Sequence, residues 1–260
     1  MTLDNNTRLK MSLKLACLTI MATLTLEHSQ FDIQISEMLY SNGHWLLQKD
    51  TQPFVFLFYQ LPKWLLVLFF VYLAGVLLLR KSGHTAKTNT ATSSKPHRHL
   101  HAFFARLTKK ELIYLMLTIL FIPATIGLLK SVTHVSCPNH LTIFNGSLPY
   151  LSLWDNIQAL TPAKCFPAAH ASTGFALYGL AFLPTLHKHR YQIFKVVSAL
   201  GWTLGVYKML FGDHFFSHTL VSMLLSLTMA SGFAALFFRQ STKPKPKETV
   251  AVRATAMTQV

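Results

Sequence analysis

Residues 208–238 read KMLFGDHFFSHTLVSMLLSLTMASGFAALFF. From Phe215 to Phe238 the stretch holds no Asp, Glu, Lys or Arg. A bilayer-spanning helix needs about 20 apolar residues, and this run supplies them. The polar residues crowd at its start: Lys208, Asp213, His214 and His218. Ionisable groups in or beside an apolar helix are costly and are functional candidates by default.

Working outward, similar blocks occupy roughly 11–26, 64–79, 112–129, 171–186 and 193–211. With 219–238 they predict an all-α, polytopic membrane protein of six transmembrane helices. The first block is broken by Lys14 and several Thr and is the nearest to a signal peptide. No small-residue cleavage pattern follows Leu26, so a retained helix is expected. The second extends back toward Phe54, with Pro62 as a kink or entry point and Trp64 at the interface. Composition agrees: 51% of the chain is hydrophobic and 13% charged, against about 25% charged in soluble domains.

The formal charge of +15 could point to nucleic acid. Its distribution excludes that reading. With both termini in the cytoplasm, nineteen of the 24 Lys and Arg fall on the cytoplasmic side. Such asymmetry sets orientation in membranes and also suits anionic membrane lipids. A one-helix error in the count would destroy it. The expected location is a bacterial inner membrane, with the outward helix ends in the periplasm.

Three regions are expected. Residues 1–110 form two helices with a basic cytoplasmic loop at 81–99, 111–239 a four-helix core, and 240–260 an extended disordered tail. The first outer loop, 27–52, has room for a short amphipathic helix through Ile33, Glu37 and Tyr40. The second, 130–170, carries four Pro and two Cys and reads as shaped. Cys17 lies in the first helix, which leaves Cys137 and Cys165 facing outward. A disulfide persists outside the cytoplasm. Pairing of the two is expected, with two free thiols as the alternative.

The chemistry collects at the outward ends of the last four helices. Lys130 ends one helix, and Cys165-Phe166-Pro167-Ala168-Ala169-His170 opens the next. Lys208 ends the fifth, and Gly212 through His218 opens the sixth. Two lysines and three histidines at one depth suit an anion such as phosphate, as do the free N–H groups of a helix start around Ala169. Alone, each lysine would be a snorkelling interfacial residue and each histidine a satisfied buried one.

Together they follow a known order. The chain resembles the type 2 phosphatidic acid phosphatase superfamily, whose motifs are K-x6-R-P, P-S-G-H and S-R-x5-H-x3-D. Lys130 and Cys137-Pro138 keep the first spacing without its Arg. Pro167 through His170 keeps the second at Pro and His. Lys208, His214 and His218 keep the third spacing, with Lys for Arg and His for Asp.

The resemblance implies a phosphatase with a histidine nucleophile and no metal or other cofactor. His214 would attack phosphorus and carry a phosphohistidine, and His170 would act as general acid and then base. His218 would orient His214. Lys130, Lys208 and Ala169 would bind the phosphoryl oxygens. The departures matter: lysine offers a point charge where arginine offers a fork, and Asp213 or Asp155 would have to replace the missing carboxylate. The implied substrate is a lipid phosphate or pyrophosphate at the periplasmic face. A lipid phosphotransferase, for example to lipid A, is the first alternative. A non-enzymatic protein with a degenerate or zinc-binding site at His170, His214 and His218 is the second.

Overall fold

A computed structural model describes residues 5–27, 30–49, 51–81, 104 and 106–239. Most of the basic loop at 81–99, and the tail at 240–260, lie outside the described residues. The chain runs through α1 (Asn5–Glu27), α2 (Phe31–Met38) and a two-residue hairpin, β1 (Tyr40–Ser41) and β2 (His44–Trp45). A π-helical turn (Phe56–Gln60) leads directly into α3 (Leu61–Lys81), followed by α4 (Lys109–Thr133), the short α5 (Leu153–Ala159) and α6 (Ala169–Phe175). Two 3-10 segments (Ala176–Phe182 and Pro184–His189) continue α6. Then come α7 (Arg190–Met209) and α8 (Phe216–Phe237).

Among the described residues, four helices are long and apolar enough to cross a membrane: Asn6–Leu26, Phe56–Arg80, Lys109–His140 and Phe216–Phe237. Leu13, Ile20, Trp64, Leu68 and Leu78 point outward from them, as side chains in contact with lipid would. The other two expected helices differ from the sequence reading. Helical structure is present in both places, but 171–186 is not one α-helix. It is α-helical for seven residues and then 3-10. Gly179 lies against Thr118, where a Cβ would collide. Pro184 then holds Leu183 in an extended conformation (φ −65°, ψ 130°) and ends the run. Stretch by 3-10 geometry gives residues 169–182 a length of ~25 Å.

The first helix, the least regular in sequence, lies along the last. Arg8 Nη1 donates to the carbonyls of Ala234 and Phe238, each at 3.4 Å, and Ser12 Oγ to that of Thr228 at 3.1 Å. The start of α1 therefore sits beside the end of α8, at the end of the bundle away from His214. The core lies among α4, α6, α7 and α8, where Tyr114, Phe175, Tyr178 and Phe182 are fully buried. Tyr114 reaches the Ala230 carbonyl at 2.9 Å, so its hydroxyl is satisfied at full burial. Backbones approach closely where residues are small: a Cβ on Gly174 would lie 2.8 Å from Gly201 Cα. Thr108 and Glu111 form a capping box at the start of α4, and the second Glu111 oxygen accepts from Thr185 N at 2.8 Å. Buried Glu111 thus fixes one helix and the neighbouring 3-10 turn at once.

The outer segments form the roof. The expected amphipathic helix is α2. The hairpin after it turns through Asn42 (φ 52°) and Gly43 (φ 80°), a type I′ signal in the sequence. Trp45 from this hairpin covers Gly212, and Leu47 N donates to Leu210 O at 3.0 Å. Cys137 and Cys165 form a disulfide, with Cα atoms 5.3 Å apart, tying the end of α4 to the start of α6. A second clasp lies beside it, where Thr161 Oγ1 donates to the His134 carbonyl and His134 Nδ1 meets the Thr161 carbonyl at 2.9 Å.

Candidate active site

A cavity of about 620 Å³ opens beneath this roof. His170, His214, Lys130, Lys208 and Ala169 all line it, as do both disulfide cysteines. Five of the six residues expected to work on the phosphoryl group therefore share one chamber. His218 does not. It is 2% exposed and lines a separate, small cavity of about 40 Å³ with Asp32, Ser217 and Tyr150.

The turn before α8 is built by glycine. Gly212 adopts φ 73°, Gly212 N donates to Met209 O at 3.0 Å, and Asp213 N donates to Lys208 O at 2.9 Å. This Schellman-type ending of α7 reverses the chain and delivers Asp213 back onto Lys208, with Oδ2 2.8 Å from Nζ. Asn139 Nδ2 holds the other oxygen at 3.2 Å, and Lys49 Nζ lies 3.8 Å from it. Asp213 is thus committed to the lysines. Asp155 lies exposed in the first turn of α5, where its carboxylate accepts from the hydroxyl of the Ser152 cap. Neither replaces the missing carboxylate behind His214.

The expected bond from His214 to His218 is also not formed. Their rings are 5.7 Å apart between centroids, and Nδ1 of each is buried with no hydrogen-bond partner among the described residues. The His218 ring is held instead against the backbone of Cys165 and the edges of Phe166 and Phe215. Burial first, then His218 and the nearby Lys130 and Lys208, hold the His214 imidazole well below its ordinary pKa. His214 is therefore neutral and carries a free lone pair.

His170 is positioned by the N-terminal half of the chain. Its Nε2 bonds the backbone carbonyl of Phe58, so that nitrogen must carry the hydrogen. Phe58 can spare its carbonyl because Pro62, four residues on, has no N–H to return in α geometry. Tyr59 stacks on the His170 ring at 5.0 Å. Nδ1 of His170 is left without a partner among the described residues and is the nitrogen free to trade a proton.

Tyr59, Lys63, Lys49 and His140 also line the cavity, and no motif announced them. The weak signals were Pro62, which frees the Phe58 carbonyl, and the four-residue spacing that puts Tyr59 and Lys63 on one helix face. Ala169 sits at the wall; the N–H before it, on Ala168, is already taken by the His218 carbonyl at 3.1 Å. Among the described residues no three His, Cys, Asp or Glu side chains are grouped to hold a metal ion. The three-histidine zinc arrangement is thus not assembled.

Fold and cavity together define a helical, membrane-associated protein with imidazoles and ammonium groups gathered around an anion-sized chamber. The PAP2 superfamily model matches residues 111–242, just over half of the chain, and the chain belongs to that superfamily of phosphatases and phosphotransferases. No curated protein and no solved structure matches it.

Proposed function

We propose that the protein hydrolyses a lipid phosphate or diphosphate at the periplasmic face of a bacterial inner membrane. The observation that carries this is the convergence of His214, His170, Lys130 and Lys208 on one cavity. The neutral His214 imidazole attacks phosphorus. Burial holds the His170 pKa down to about 4, so the charge of the bound phosphate has to raise it before Nδ1 carries the proton that passes to the leaving oxygen. The same nitrogen then takes one from the water that cleaves the phosphohistidine. Lys130 and Lys208 bind the equatorial oxygens as charge builds. Splitting hydrolysis into two displacements is the purpose of such an intermediate.

In this reading 111–239 form the phosphatase core, and residues from Lys49 to Lys63 complete its wall. Both termini are cytoplasmic. The contact of Arg8 with the end of α8, away from His214, supports placing them together.

The test is phosphate release by purified wild type and His214→Ala, with chelator present, across lipid phosphates and diphosphates. Release that is lost in the variant is the expected result. Release that survives His214→Ala overturns the histidine mechanism. Transfer of phosphate to a second lipid without free phosphate replaces hydrolysis by phosphotransfer.

A further inference from the structure

The cavity holds more positive charge than one phosphoryl group needs. Among the described residues four lysines line it, and Asp213 is the one carboxylate that does so. Lys63 and Lys130 form no ion pair within 4.0 Å among those residues, although Asp213 acts on Lys130 from further away, while Lys208 and Lys49 share Asp213.

The cations differ in what they stand against. Lys208 is paired with Asp213. Lys63 stands over an aromatic ring instead. Its Nζ lies 3.6 Å from the centre of the Tyr59 ring. Lys208 Nζ approaches the same ring at 4.5 Å. Tyr59, stacked on His170, therefore carries both ammonium groups beside that histidine. Lys49 adds a fourth ammonium near Asp213.

We infer that Tyr59 and Lys63 form a second phosphate subsite, and that the substrate is a lipid diphosphate whose inner phosphate occupies it. This rests on the phosphatase reading and names the substrate within it. A monophosphate group carries a charge of about −1.5 to −2 near neutral pH, which two ammonium groups match. The inner phosphate of a diphosphate adds a further negative charge, and Lys63 faces it. The chamber of about 620 Å³ has room for both groups.

The chemistry balances. A His214 nitrogen bonds to the terminal phosphorus while the bridging P–O bond breaks. The electron pair leaves on the inner phosphate, which stays attached to the lipid as a monophosphate. Lys63, beside His170, meets that growing charge, and His170 Nδ1 supplies the proton. Water then attacks the phosphohistidine, its proton passes to His170, the N–P bond breaks and orthophosphate departs. An alcohol leaving group, by contrast, depends on the His170 proton alone and gains little from Lys63.

The experiment has a binding arm and a turnover arm. In His214→Ala protein, calorimetry compares inorganic pyrophosphate with orthophosphate, with and without Lys63→Ala. Pyrophosphate is expected to bind about tenfold more tightly, and Lys63→Ala to remove most of that preference. Equal binding of the two anions, or an equal loss for both on Lys63→Ala, overturns the second subsite. Turnover is measured with a polyprenyl diphosphate and the matching monophosphate. In the otherwise wild-type protein, Lys63→Ala is expected to lower kcat/KM on the diphosphate several-fold more than on the monophosphate. An equal loss on both overturns the assignment. Absence of turnover with a retained pyrophosphate preference removes the phosphatase reading and leaves the diphosphate site standing.

Discussion

His170 Nε2 bonds the backbone carbonyl of Phe58, 112 residues earlier in the chain. Phe58 lies outside the span that matches the family, residues 111–242. The N-terminal half thus orients a side chain of the core, fixing its tautomer as partners of functional histidines commonly do. Pro62→Ala would supply an N–H that competes for the Phe58 carbonyl. The expected result is a fall in kcat on the order of tenfold, about 1.4 kcal/mol in the barrier, with KM little changed. Steady-state kinetics check it; an unchanged kcat would mean that the carbonyl does not govern the ring.

The disulfide closes a loop of 28 residues beside the cavity. Chain entropy gives such a loop about 3–4 kcal/mol. Cys137→Ser with Cys165→Ser is expected to lower the melting temperature clearly and to reduce activity, because both cysteines line the chamber. A thiol probe applied to unreduced protein should label Cys17 alone, which is exposed and unpaired. Labelling of all three cysteines in freshly extracted protein would place this loop in a reducing compartment.

The four long apolar helices were legible because a span needs a long apolar run. The change to 3-10 geometry at Ala176 within 171–186 was not, although Pro184 marks the end of the run; the packing of Gly179 on Thr118 there is a tertiary contact, which periodicity does not encode. His170, His214, Lys130 and Lys208 were legible from spacing at helix ends. Tyr59, Lys63 and Lys49 were hidden because they reach the cavity only through tertiary packing of the first outer loop and α3. Adjacency to His214 argues against contact of Asp213 with that ring, and the structure agrees; its pairing with Lys208 through the Gly212 turn was not legible.

Asp32 was also invisible in sequence, one of four acids in the first outer loop. The structure buries it at 3% exposure, where Oδ1 accepts from Ser217 N at 2.9 Å and Oδ2 from Ser217 Oγ. It thereby caps the first turn of α8, three residues from His214. Asp32→Ala would leave the Ser217 N–H buried and unpaired, at a cost of about 1–3 kcal/mol. The expected outcome is a lower melting temperature with reduced turnover. Asp32→Asn keeps one acceptor and should recover most of both. Burial pushes the Asp32 carboxyl pKa up, against the two Ser217 bonds, so the neutral amide is a fair mimic. Equal damage from both variants would show that the charge, not the cap, is what matters.

The buried His214 makes a prediction with a definite sign. Its native pKa is held well below the ordinary value, chiefly by burial, whereas in the unfolded chain it returns to about 6.5. Below that value the unfolded state binds a proton that the native state refuses, so His214 favours unfolding as pH falls. Above about 6.5 this contribution is fully present and flat; below it, stability is lost by at most about 1.4 kcal/mol per pH unit. The measurement is the melting temperature of wild type and His214→Asn in detergent from pH 8 down to pH 5. The gap between the two should stay constant above roughly pH 6.5 and move in favour of the variant below it. The same depressed pKa keeps the nucleophile unprotonated, so loss of kcat on the acid side should not follow a group titrating near 6.5 at this position. A gap that is flat across the whole range would mean that His214 is solvated and titrates normally in the folded protein.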